Sequence, residues 1–403
     1  MNDLPRVLGI DISKSSISAC LLESKPEEPR QFYYNYDFKL FKADASGIKG
    51  VLDLKPDVAI LEPTGTNYSK LWVTILAQSG VEVRLVGHKE LRNYRAYHLA
   101  LPDKDDNADA LALACYGFDY SSPARYVALK DATTARIREL VLRLKHLNRV
   151  KNPISNRLRQ DLAWQIPEAA HIKSKRGAKG KVPLLWGWLC GKRNSKKYDR
   201  MYLDSVGLGI LDTVRLHAER LCSISDEEFT IECEIKKLLE DSKFLPYRKA
   251  FNSFGFGLRL EAMILSQVYP LQKFLGEDGK PIVQFIKSRD SKKSTKRKLS
   301  LRRFQKLLGL APSKEYSGDK RLTKISGGND FTRIAMWQWV FTTIEPKRNR
   351  LNNVIGKKLG KKLDEEKASG RPIRLIRSRV AAQGVKLLFT ELVKYVVYND
   401  RLE

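Results

Sequence analysis

The chain has 403 residues, enough for two or three domains that each bury a core. It is 42% hydrophobic, with six Trp, sixteen Tyr and fifteen Phe, which excludes an intrinsically disordered protein. Its 74 Lys+Arg against 46 Asp+Glu leave a net charge of +28, pointing to a polyanionic partner, nucleic acid ahead of a membrane surface.

No apolar run approaches the roughly 18 residues that a spanning helix needs, and the N-terminus has no apolar signal-peptide segment. The five cysteines (Cys20, Cys115, Cys190, Cys222, Cys233) are odd in number and form no CxxC pair. Neither a zinc site nor a disulfide framework is indicated, and the expectation is a cytoplasmic protein with no membrane partner.

Residues 1–125 alternate strands and helices. VLGIDIS (7–13), SISACLL (16–22) and QFYYNYDFKLF (31–41) read as three consecutive strands. A short helix near 46–54 precedes the strand VAILE (58–62), and a helix over 66–79 precedes VEVRLV (81–86). A basic helical segment (88–98) and a helix over 105–117 follow. A three-strand meander followed by αβαβα is an α/β pattern with a mixed central sheet.

Two apolar runs, VLGID (7–11) and VAILE (58–62), end in acids, Asp11 and Glu62. A buried carboxylate is costly unless something pairs with it, and ligands bind at the carboxyl edge of open α/β sheets. Asp106 and Asp109 stand three residues apart and share one helical face. Four converging carboxylates suggest a divalent metal. Asp105 reads instead as a helix N-terminal charge complementing the macrodipole.

GIDISK (9–14), LEPTG (61–65) and KDDNADA (104–110) resemble, in order, the three motifs of the DEDD transposases of the IS110 type. That resemblance implies an RNase H-like (RuvC-like) first domain holding Mg2+ on Asp11, Glu62, Asp106 and Asp109. Its register selects Asp106, not Asp105, as partner of Asp109. Lys14 and Lys104 sit within these motifs as candidate nucleic-acid contacts.

Residues 126–245 read as a helical, basic linker. Ile137, Leu140, Leu144, Leu147, Ile154 and Leu158 form a heptad-like stripe on a helix over 131–165, in which Pro153 predicts a local kink or break. Arg136, Arg138, Arg143, Lys145, Arg149, Lys151, Arg157 and Arg159 decorate it, a composition that suits a phosphate backbone. A basic loop (171–181) and the aromatic run LLWGWLC (184–190) lead to helices predicted over 203–222 and 226–241. The long helices are expected to pair as an antiparallel hairpin, and the family implies a coiled-coil insert that supports self-association.

Residues 246–403 form the third expected domain, mostly helical. Phe254, Gly255, Phe256 and Gly257 enter an amphipathic helix and resemble a helix-hairpin-helix turn, whose Gly255 and Gly257 backbone could hold phosphate. KSRDSKKSTKRKLSLRR (287–303) offers Lys292, Lys293, Lys296, Arg297, Lys298, Arg302 and Arg303 to nucleic acid. RFQKLLGLAPSKEYSGDKRLTKISGGND (303–330) resembles the family's C-terminal transposase motif. By position Ser317 matches the family's nucleophilic serine, with Ser313, Tyr316 and Ser326 as the local alternatives, though no Arg/His constellation around Tyr316 supports tyrosine-recombinase chemistry. Lys320, Arg321, Lys324 and Asn329 are phosphate candidates beside it. Gly327 stands where the family usually has Lys. The His residues lie at 88, 98, 146, 171 and 217, none adjacent to Ser317, which argues against a Ser–His–Asp hydrolase and for metal activation. Arg371, Arg374, Arg377 and Arg379 precede the last helix. The chain exceeds the family's expected length chiefly through 165–205 and 275–300.

The resemblance implies a site-specific DNA transposase or recombinase, acting through a covalent phosphoserine intermediate. It further implies donor and target DNA chosen by a bridge RNA, and a dimer or tetramer. Two rivals are a RuvC-like nuclease using water, and a non-catalytic nucleic-acid scaffold with structural acids.

Overall fold

The structure, a computed structural model, describes residues 5–63, 68–101, 104–122, 125–127, 131–287, 294–317 and 320–398, without the side chains of 286, 314–317, 320–324 and 326. The chain divides into two compact units, Met1–Lys130 and Asp131–Glu403. The expected boundary at 125/126 lies close to this division. The boundary expected at 245/246 separates no compact unit, because the middle helices share a core with the C-terminal ones.

The first unit contains β1 (Val7–Ile12), β2 (Ser16–Leu22), α1 (Pro29–Asn35), β3 (Lys39–Lys42), α2 (Ala45–Asp53) and β4 (Val58–Leu61). It continues with α3 (Tyr68–Gln78), β5 (Glu82–Leu85), α4 (His88–Asn93), a π-helical turn at Tyr94–His98 and α5 (Asp106–Asp119). The sheet order is β3-β2-β1-β4-β5. β1, β2 and β3 are antiparallel neighbours, whereas β4 lies parallel to β1 and β5 parallel to β4. This is the RNase H-like mixed sheet. Leu8, Ile10, Ile17, Ile60 and Leu61 are fully buried in it, each side chain contributing about 1.5–3 kcal/mol of burial.

Residues 31–41 are not one strand. Pro29 starts α1, and only Lys39–Lys42 joins the sheet. The aromatic residues favour a strand by propensity, but helical spacing stacks Phe32 on Tyr36, ring centroids 4.8 Å apart, and Tyr36 Oη donates to the Leu21 carbonyl.

Helix α5 lies against β1 because the facing residues are small. A Cβ on Gly9 would sit 2.1 Å from the Ala110 carbonyl oxygen and 2.4 Å from the Ala114 nitrogen. Only glycine permits that approach, and it sets the first turn of α5 over the carboxyl end of β1.

The second unit opens with α6 (Ala132–Gln165), α7 (Pro167–Ala170), α8 (Leu184–Leu189), α9 (Lys196–Leu203) and α10 (Asp212–Leu238). It continues with α11 (Leu245–Asn252), α12 (Leu258–Val268), β6 (Val283–Lys287), β7 (Ser294–Lys298) and α13 (Leu299–Leu307). β8 (Ala311–Ser317), β9 (Lys320–Gly327), α14 (Asp330–Trp339), α15 (Val354–Ala368) and α16 (Ile373–Val397) complete it. Asp131 caps α6 by accepting from the Thr134 backbone N–H. The helix runs unbroken through Pro153, which faces solvent, where an unpaired carbonyl can turn to water. The two helices expected over 203–222 and 226–241 are the single helix α10.

α6 and α10 pack antiparallel, with Arg136 bonded to Glu234 and Arg143 to Glu227. Lys151 pairs with Glu228, and Arg157 with Asp161 on its own helix. Four of the eight basic residues expected to decorate α6, Arg136, Arg143, Lys151 and Arg157, therefore balance protein carboxylates and are not a free phosphate-binding face. The loop 171–181 is likewise pinned: Arg176 pairs with Glu232, and Gly180 lies against the Phe229 ring.

Candidate active site

Asp11 and Glu62 each follow the last paired residues of adjacent parallel strands, since Ile10 lies beside Leu61. They therefore emerge at the same edge of the sheet. Across from Asp11 in the antiparallel register stands Ser18, whose Oγ donates to Asn107 Oδ1 at 2.5 Å. That bond ties α5 to the sheet beside the acids.

The two adjacent aspartates at the start of α5 do different work. Asp105 is the N-cap: its Oδ1 accepts from the Ala108 N–H at 2.6 Å, and Tyr33 Oη donates to its other oxygen. Asp106 is exposed and hydrogen-bonds the Asp11 carboxyl. Burial, then the like charges of Asp109 and Asp106, push the Asp11 carboxyl up to about 7, against a lowering bond from the Ile12 backbone. Three of the four acids thus crowd one another.

Asp109 and Glu62 carry partners that the sequence did not reveal. Arg95 Nη1 donates to Asp109 Oδ1 at 2.6 Å. Burial still raises the Asp109 carboxyl, with Arg95 and Lys104 opposing it. His88 Nδ1 meets Glu62 Oε1 in a short contact. Both partners come from the segment read only as a basic helix over 88–98. Its spacing carries no sign of pairing through space.

The donor set is made of hard carboxylate oxygens, which suit Mg2+ or Mn2+. Crowded, partly buried acids with a raised carboxyl are what a dication relieves, so the residues fit such an ion chemically. Among the described residues, no group of three or more His, Cys, Asp and Glu is arranged to hold a metal. The bonds from Arg95 and His88 engage Asp109 and Glu62 instead. Lys14 and Lys104 are exposed.

In the second unit Ser317 ends β8 and pairs in backbone register with Lys320; its side chain is outside the described residues. Arg321 pairs with Tyr316 and Lys324 with Ser313 in the same hairpin, and their side chains are also outside the description. Two glycines hold the base of the hairpin. Gly309 and Gly328 have φ of +74° and +109°, and a Cβ on Gly328 would lie 1.6 Å from the Lys306 carbonyl oxygen. Asn329 has a structural task. It caps α14 through Oδ1 to the Phe331 N–H, while its Nδ2 donates to Gln267 Oε1 at 2.8 Å.

Gly255 has φ of +58°, and Gly257 is the N-cap of α12. Both line a 610 Å³ cavity with Lys145, Arg149 and Asn152. Lys296, Arg297, Lys298, Arg302 and Arg303 are exposed on β7 and α13, whereas Lys292 and Lys293 lie outside the described residues. Of the four arginines near the last helix, Arg371 and Arg379 bond Glu366, and Arg377 bonds Glu345. All five cysteines are free, and no described helix is long and apolar enough to cross a membrane.

Residues 8–166 match the IS110-type DEDD family described as a transposase. None of the curated proteins matches the chain. Among solved structures, the Thermus thermophilus RuvC structure is 13% identical at a TM-score of 0.21, covering 30% of this chain and 99% of that one. T. thermophilus RuvC in complex with Holliday junction substrate is 15% identical at a TM-score of 0.24, covering 31% and 99%.

Proposed function

Residues 8–166 belong to the DEDD transposase family of the IS110 type, and from that premise we propose that the chain is a site-specific DNA transposase or recombinase. The observation that carries the reading is the meeting of Asp11 with Asp106 and Asp109 at the carboxyl edge of β1. In this reading Asp11, Glu62, Asp106 and Asp109 hold a divalent ion such as Mg2+. When bound, that ion supplies Lewis-acid polarisation of the scissile phosphate and charge stabilisation of the departing oxygen.

The chain's own groups do the rest. Arg95 fixes Asp109 and offsets one of the clustered charges. The exposed Lys14 and Lys104 attract the phosphate backbone. Ser317 attacks phosphorus, its Oγ–P bond forming as the bond to the leaving sugar oxygen breaks. The serine proton passes to solvent or a neighbouring base, and the phosphodiester energy is retained for strand exchange. The net charge of +28 supports a protein that holds DNA together with a bridge RNA read by base pairing. Strand exchange requires several active sites, hence a dimer or tetramer.

Sequencing of nucleic acid that co-purifies with the chain tests the guided part. One discrete structured RNA is expected; random fragments overturn guidance. Mg2+-dependent cleavage of DNA that is lost in Asp11→Asn tests the enzymatic part. Binding without cleavage on any substrate would favour a scaffold.

A further inference from the structure

The strands β6 and β7 form a two-stranded antiparallel ribbon that neither the carboxylates nor Ser317 explains. It falls in the 275–300 stretch, where the chain exceeds the family's expected length. Its register pairs Val283 with Lys298, Gln284 with Arg297, and Phe285 with Lys296. Every residue of β7 is exposed, and Phe285 is 70% exposed. An isolated two-stranded ribbon is marginal in water, so something must back one face.

The structure shows which face that is. Val283, Lys296 and Lys298 line a 350 Å³ cavity together with Phe389, Val393 and Lys394 of α16. Side chains alternate between the faces of a strand, so the cross-strand partners Gln284 and Arg297 stand on the opposite face, and both are exposed. Residues 283–287 and 294–298 carry Lys287, Lys296, Arg297 and Lys298 and no acid.

We propose that this ribbon enters the major groove of B-form DNA, its Gln284/Arg297 face toward the base edges, while the exposed Lys296 and Lys298, rooted on the opposite face, reach round its edges to the flanking phosphates. The inference rests on the reading of the chain as a DNA-acting enzyme. Three arguments select this occupant. The charge is complementary to a phosphate backbone. The B-DNA major groove, about 12 Å wide, admits a two-stranded ribbon, while the A-form RNA major groove is too deep and narrow for side chains to read. Gln and Arg are the side chains that recognise adenine and guanine edges with paired hydrogen bonds.

The test uses the full chain, a random-sequence DNA duplex, an RNA duplex of the same length, and selection from a randomised DNA pool. Lys296→Ala/Lys298→Ala should weaken binding to all DNA sequences and reduce the slope of log K against log salt by about 2. Arg297→Lys keeps the charge but loses the planar fork. It should keep the salt slope while base preference at its contact falls about tenfold. RNA-duplex binding should stay at the wild-type level in both variants, and unchanged unfolding midpoints confirm that they fold. Wild-type salt slope and wild-type selected sequences in these variants would overturn the proposal, as would an equal loss of RNA binding. A wild-type chain that binds no DNA would overturn the functional reading with it. DNA binding indifferent to the variants would sink only the ribbon.

Discussion

Arg95 donates from Nη1 to Asp109 Oδ1 at 2.6 Å, with side-chain exposures of only 9% and 14%. This guanidinium pairs with one of a group of acids that otherwise repel one another. Removing one partner of a mostly buried ion pair strands the other charge. Arg95→Ala is therefore expected to lower stability by about 3 kcal/mol in a chelating buffer. Added Mg2+ should restore part of the loss by supplying the missing positive charge. Denaturant midpoints with and without the ion check this, and an equal loss in both buffers would argue that Arg95 only packs.

Asp105 and Asp106 are neighbours with opposite expectations. Asp105 caps α5, so Asp105→Ala should cost about 1 kcal/mol of stability and leave cleavage largely intact. Asp106 is exposed and bonded to Asp11. Asp106→Ala should abolish cleavage with little change in the unfolding midpoint. Paired nicking assays and thermal melts separate the two. The reverse pattern would shift the motif by one residue.

Acid should loosen the second unit through Glu345 and Glu366. Burial alone would raise both carboxyls, but bonds from Arg377 and Lys367 to Glu345, and from Arg379 and Arg371 to Glu366, hold them below the usual range. A depressed folded value means that the stabilisation is complete above the unfolded value and is lost as pH falls through the folded one. Glu345→Gln should thus cost about 1.5–3 kcal/mol at neutral pH. The gap from wild type should close below about pH 4. Denaturant titrations from neutral to acidic pH would reveal the opposite trend if the pairing were incidental.

The approach of Asp11 to Asp106 and Asp109 was foreshadowed by an acid ending an apolar run and by the helical face that the two aspartates share. Asp105 reads in the sequence as a first-turn charge complementing the helix macrodipole, whereas it stands one residue before α5 and caps it. The long α6 was legible from its leucine stripe, and its limits match the expected ones closely. Through-space relations were not legible: no local pattern pairs Arg95 with Asp109, His88 with Glu62, or the α6 cations with acids of α10. The aromatic run at 31–41 misled because β-prone aromatics also stack at helical spacing, as Phe32 does on Tyr36. The break expected between the helices over 203–222 and 226–241 is absent, and Ser225 is buried mid-helix in α10, its carbonyl accepting from Arg176. Asn329 looked like a phosphate ligand, although the fold itself employs both ends of its amide.

The most direct measurement is capture of a covalent protein–DNA species from cells that hold the chain and its DNA. After denaturation and nuclease digestion, mass spectrometry of the peptide containing Ser317 should find a nucleotide on that serine. The adduct should vanish in Ser317→Ala and in Asp11→Asn, with strand cleavage lost in both. Cleavage that persists in Ser317→Ala without any adduct, yet disappears in Asp11→Asn, would contradict the account and identify a hydrolytic nuclease that uses water.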